Sequence, residues 1–132
     1  MNTTAFPDNC LRGIRTKKFI KPNGLVDSLA FEPDPRPESV RSDGGIETSI
    51  NWEDDAGAIH VTTKEYPLGA IRLPREELHH CAVRLRYEGK LSYVRSPLPD
   101  NQYHGDIVFG SELTIGDRHR ICAALAIYAD KV

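Results

Sequence analysis

The chain is poor in the features that let a sequence announce its chemistry. Its 132 residues include only three cysteines, Cys10, Cys81 and Cys122. The odd count, with no C-x-x-C pair, sets aside a disulfide framework and a zinc module and fits free thiols in a reducing compartment. No apolar run comes near the ~18 residues of a membrane span, and Met1 to Pro7 has neither the charged nor the apolar region of a secretory signal. A soluble, cytoplasmic protein without a membrane partner is expected. Charge of one sign is lacking as well. Seventeen Lys and Arg against nineteen Asp and Glu leave a net charge of -2, which argues against a protein built chiefly to coat nucleic acid. The phosphate loop G-x-x-x-x-G-K-[ST], the dinucleotide fingerprint G-x-G-x-x-G and the nucleophile elbow G-x-S-x-G are absent. His79-His80-Cys81 with His119 and Cys122 match no zinc spacing, so neither a cofactor nor a metal is expected.

What is present is the composition of a globular protein, 39% hydrophobic and 27% charged residues, in a length that fits one domain. Residues 1–9 read as a flexible lead-in. A strand is expected around Cys10 to Arg15. After the turn Pro22-Asn23-Gly24, a second, buried strand is expected from Leu25 to Phe31. The prolines at 33, 35 and 37 delete donors at alternate positions, so residues 32–45 are expected to form an exposed proline-rich loop. Ile46, Thr48, Ile50 and Trp52 alternate on one face of a strand, with Trp52 in the core or in a pocket wall. Residues 53–67 fit helix and strand equally. Ala70 to Leu73 reads as a strand and Pro74 to Leu78 as one helical turn.

The strongest local signal reads as a hairpin, Cys81 to Tyr87 and Lys90 to Arg95 about Glu88-Gly89. In that register Arg84, Arg86, Tyr93 and Arg95 share a basic, aromatic-bearing face. Gly105 to Phe109 forms another strand. Thr114 and Asp117 then make a capping box for a last helix whose Ile121, Leu125 and Tyr128 line one side. Together these give an α+β domain, a mostly antiparallel sheet with a C-terminal helix packed on it.

The chemistry gathers in Ser96 to Phe109. Pro97 and Pro99 stiffen a loop that delivers His104 and Asp106, two apart and hence on one face of a strand start. A carboxylate beside an imidazole is the arrangement used for general-base work, although the same pair could simply satisfy loop backbone near Asp100 and Asn101. Gly105 leaves room there for a ligand or another chain. Arg12, Arg15, Lys17, Lys18 and Lys21 form a basic run, opposed by eight acidic and two basic residues between Glu32 and Asp55. Such zoning suits docking of a protein partner as well as binding of nucleic acid or a nucleotide.

At Ser49-Ile50-Asn51-Trp52 and Pro97-Leu98-Pro99-Asp100-Asn101-Gln102-Tyr103-His104, with Arg12, Gly24 to Phe31 and the terminal helix, the chain resembles small bacterial cytoplasmic proteins of similar length that carry no assigned activity. It departs from them at Gly105, where a small, alanine-like residue is expected. The resemblance implies a bacterial origin and transfers no catalytic role.

The leading expectation is a binding or accessory module acting through protein or nucleic-acid contacts. The alternative is a small hydrolase or transferase on a phosphorylated or nucleotide substrate. In it His104 is the general base, Asp106 orients it, Arg12 holds an anionic group, and Trp52 or Tyr93 supplies a stacking wall. A purely structural subunit is a third reading. Convergence of Arg12, Asn51, Trp52, Asp100, His104 and Asp106 in one concave pocket favours the enzyme, and their dispersal favours the module.

Overall fold

The computed structural model describes residues 5–34 and 36–132. Among these residues six strands, β1 (Asn9–Gly13), β2 (Ile46–Trp52), β3 (Ala70–Pro74), β4 (Leu91–Arg95), β5 (His104–Phe109) and β6 (Asp130–Lys131), form one sheet. Every pairing is antiparallel and the order is β4-β5-β2-β1-β3-β6. Three helices, α1 (Gly57–Glu65), α2 (Arg75–Leu85) and α3 (Ile115–Ile127), complete the α+β domain.

The period of two sorts the sheet into two faces. Ile50 and Trp52 share one of them with Cys10, Ile71, Leu73, Ile107 and Phe109, and this face forms the main core with Leu78 and Cys81 of α2 and Ile121 and Leu125 of α3. The other face carries Leu11, which packs with Ala58 of α1 and Tyr103. α3 starts as its sequence dictates. Thr114 accepts from the Asp117 amide at 3.0 Å, and the Asp117 carboxylate accepts from the Thr114 amide at 2.8 Å. No helix among the described residues is long and apolar enough to cross a membrane.

The expected hairpin is corrected. Cys81 to Leu85 is the second half of α2, because Leu78, Cys81, Ala82 and Leu85 follow the i, i+3, i+4, i+7 spacing of a helix that buries one side. Alternation within 81–87 is accidental, and Val83 faces solvent. Glu88-Gly89 is a turn, but it joins a helix to β4, whose actual partner is β5. The strand expected from Leu25 to Phe31 is corrected too. Asp27 accepts from the Leu29 amide at 2.9 Å and caps a 3-10 turn, Ser28–Phe31, that buries Ala30 and Phe31. Residues 32–45 are not wholly exposed, since Asp34 and Ser39 are buried and Pro37–Ser39 forms another 3-10 turn. Tyr128 lies just past the end of α3 under the Arg84 guanidinium, 5.0 Å from its ring centroid. Of the expected lead-in, residues 1–4 lie outside the described residues. Phe6 is docked, its ring 4.8 Å from those of both Trp52 and Tyr93.

Gly105 leaves no room for a ligand. The Trp52 indole crosses over it from β2 and donates from Nε1 to the Val94 carbonyl on β4 at 3.0 Å. A Cβ at 105 would lie 2.2 Å from Nε1 and 2.6 Å from that carbonyl oxygen. Gly105→Ala is therefore expected to cost about 1–3 kcal/mol in a urea melt. Gly116→Ala, in the first turn of α3 with nothing nearer than 3.8 Å, is expected to be neutral or to stabilise by up to ~1 kcal/mol. A Gly105→Ala melt coincident with wild type overturns this packing assignment.

Burial also pushes the Cys10 thiol from 9.0 up to about 12. The unfolded chain ionises this thiol first, so its contribution to stability is intact below pH 9 and is lost as pH rises towards 12. Cys10 is expected to resist alkylation in the native protein at pH 8.5 and to react on unfolding, as peptide mapping of alkylated sites would report.

A candidate active-site cleft between two parting strands

β1 and β2 pair only at Cys10 with Trp52 and Leu11 with Asn51. Beyond that point β1 follows β3 to the Gly13–Ala70 pair, while β2 runs alongside β5 over its length from Asn51 to Ile46. The strands part, and a cleft of about 630 Å³ opens between their ends. Its walls come from Leu11 and Gly13 of β1, Ser49 and Asn51 of β2, Val61 and Lys64 of α1, the following Tyr66, and the 98–101 loop with His104.

Arg12 occupies the parting point. Its Nε donates to the Ala30 carbonyl at 2.8 Å, one terminal nitrogen to the Ser49 carbonyl at 2.9 Å, and the other to Asp34 at 3.2 Å. Ser49 thus finds in a side chain the donor that the departing β1 does not supply. Burial pulls the Arg12 guanidinium below its ordinary value, and the Asp34 carboxylate pushes back. The anion expected for Arg12 proves to be Asp34, which also receives Arg15 and Arg36.

At the other end of the cleft the β4–β5 ladder ends on the imidazole. The Ser96 amide donates to the His104 carbonyl at 3.0 Å, but the return bond is made by the ring, with Nδ1 2.9 Å from the Ser96 carbonyl oxygen. A carbonyl only accepts, so Nδ1 carries the hydrogen and, in the neutral ring, Nε2 holds the lone pair. Ser96 Oγ lies 3.0 Å from the same Nδ1 and donates to Asp106 at 2.6 Å. The carboxylate therefore reaches the imidazole through one hydroxyl. Asp106 is buried, has no cationic partner among the described residues, and its Oδ1 has no hydrogen-bond partner. Asn51 braces this end, donating to Thr62 Oγ1 at 2.8 Å and accepting from Asn101 at 2.8 Å.

Of the residues singled out from sequence, Arg12, Asn51, Asp100 and His104 line the one cleft, with Asp106 behind it. Trp52 is fully buried on the opposite face of the sheet, and Tyr93 packs against it there, so neither is a wall of the cleft. The basic hairpin face does not exist. Arg84 meets Glu77 on α2, Arg86 is the left-handed residue that ends α2, and Arg95 is held by both oxygens of Asp54 at 2.9 and 2.6 Å. Sequence reasoning missed Ser96, Asp34, Arg36 and Lys64. The role of Ser96 follows once β4 is paired with β5, which sets it opposite His104. Asp34 gave no such signal, because Arg12 and Arg15 reach it from β1 and the residues just after it, about twenty positions away.

Arg12→Ala leaves the Ala30 and Ser49 carbonyls unpartnered and is expected to cost about 3 kcal/mol or more in a urea melt. Arg12→Lys keeps the charge but not the three-way geometry and is expected to recover less than half of that loss. Two wild-type melts would overturn the role of Arg12 at the parting point. Comparison with protein-family models, curated proteins and solved structures gives no match, so the residues and their geometry alone carry the functional reading.

Proposed function

We propose that the protein is a small enzyme, a hydrolase or transferase, in which His104 is the general base of the cleft. The observation that carries this reading is the state of the imidazole. Nδ1 is tied to Ser96, whereas Nε2, on a ring that lines the cleft, has no hydrogen-bond partner among the described residues. A substrate hydroxyl or a water placed on Nε2 can give up its proton there as it attacks, an effect worth typically ~10²–10⁴-fold in rate. Asp106 gives the imidazolium formed in that step a counter-charge through Ser96, which gives a use to a buried carboxylate that no cation among the described residues neutralises. Ser96 is not placed as a nucleophile of the serine-hydrolase kind. Its proton is committed to Asp106, and it faces Nδ1 rather than Nε2.

The accessory-module reading has its own support in Ile127, Tyr128 and Val132, which expose 77%, 44% and 47% of their surface near the end of α3 and β6. Exposed apolar side chains of this size suit an apolar protein partner. The nucleic-acid form of that reading loses its hairpin face, whose arginines are dispersed, and rests on Lys17, Lys18 and Lys21 of the basic run, since Arg12 and Arg15 are held by Asp34.

His104→Asn tests the enzyme reading, because the amide keeps a donor near the Nδ1 position and removes Nε2. On a panel of nitrophenyl carboxylate and phosphate esters, the wild type is expected to turn over at least one. The variant is expected to lose about 10²-fold or more in rate with a melt within ~1 kcal/mol of wild type. An inert wild type, or a variant as fast as wild type, overturns the assignment. Nitrogen-detected NMR is expected to show His104 with its hydrogen on Nδ1.

A further inference from the structure

We propose that the substrate of this cleft carries a phosphate group, bound by Arg36 and Lys64 at the end away from His104. The proposal rests on the enzyme reading and adds the substrate class.

The two ends of the cleft differ in chemistry. His104 pairs with Asn51 on β2, whereas the arginine cluster gathers at Ser49, two residues further along the strand and so about 7 Å away. At that end one carboxylate, Asp34, serves three guanidinium groups, those of Arg12, Arg15 and Arg36. It can neutralise only one of them. Arg12 is buried, with all three of its nitrogens already donating, and so acts as a backing charge. Arg36 is different. Its side chain is 62% exposed, makes a single contact to Asp34 and lines the cleft. Lys64 lines the cleft from the last turn of α1 and has no carboxylate partner among the described residues.

With Asp34 and its partners included, the four cations Arg12, Arg15, Arg36 and Lys64 face the three carboxylates Asp34, Glu65 and Asp100, a surplus of one. A guanidinium fork paired with an ammonium suits a phosphate group, which offers several acceptor oxygens and a charge opposite in sign to the surplus. The cleft volume of about 630 Å³ matches the ~300–1,000 Å³ of sites for small molecules, so a compact phosphate ester can span both ends.

Isothermal calorimetry of the full chain with inorganic phosphate, at ionic strength held constant with sodium chloride, tests this. Saturable binding is expected in the wild type. Arg36→Ala and Lys64→Ala are each expected to weaken it about tenfold, the loss of one charge-assisted contact, while Arg36→Lys recovers part of the affinity. Both side chains are at the surface, so melts are expected to stay at the wild-type value. No saturable heat in the wild type, or wild-type affinity in both alanine variants, overturns the proposal. His104→Asn is expected to keep its phosphate affinity. Phosphate binding without any effect of that variant on ester turnover would remove the base and leave the anion site. Lost turnover without phosphate binding would do the reverse.

Discussion

Everything around the cleft depends on how the gap between β1 and β2 is kept open without leaving backbone groups unpaired. Parting strands would ordinarily expose their amides and carbonyls to water or close up again. Here one guanidinium satisfies Ser49 on one side and Ala30 on the other. Thr48 adds a bond of 2.8 Å to the Phe31 carbonyl, so the 28–34 segment is pinned beneath the split. Asp34 lies at the end of that segment and balances the buried charge. Sheet geometry, the course of a long connection and the electrostatics of the cleft are therefore set by one contact network. Removing a member of such a network costs more than its own bond, since the groups left behind are buried.

The opposite end of the cleft follows the same logic. β4 and β5 do not finish on a backbone pair but on a ring, and the bond that ends the ladder also fixes which nitrogen of His104 carries the hydrogen. Site and scaffold share hydrogen bonds there. An imidazole held in this way is oriented by strand pairing itself, which is among the most rigid devices a small domain has.

The sheet was legible wherever one face alone decided a strand, as in Ile46–Trp52, Ala70–Leu73 and the strand that follows His104. The capping box of α3 was legible because its hydrogen bonds are local. The reading failed at Cys81–Tyr87, where a helix stripe and an alternating strand predict overlapping sets of apolar residues, and only extension back to Leu78 separates them. It failed again at Leu25–Phe31, where an Asp cap outweighs apolar density. For the site, His104, Asp106, Asn51, Asp100 and Arg12 could be named from residue type and loop stiffness. Trp52 could not be assigned to one face of its surroundings without knowing that α2 and α3 cover that side. The arginine cluster is a product of tertiary folding, joining β1 to a proline-rich segment more than twenty residues away, and no local pattern marks it.

The indole of Trp52 has a consequence beyond packing. It is the sole tryptophan of the chain, it lies across Gly105, and its Nε1 bond ties β2 to β4 over the strand that begins with His104. Its environment is dry and apolar on the face away from the cleft, so a ligand entering the cleft cannot touch it. Any change in its emission on ligand addition must then arrive through the sheet, as a shift of β5 against its neighbours. The protein carries a built-in optical gauge of backbone movement beside His104, read from behind.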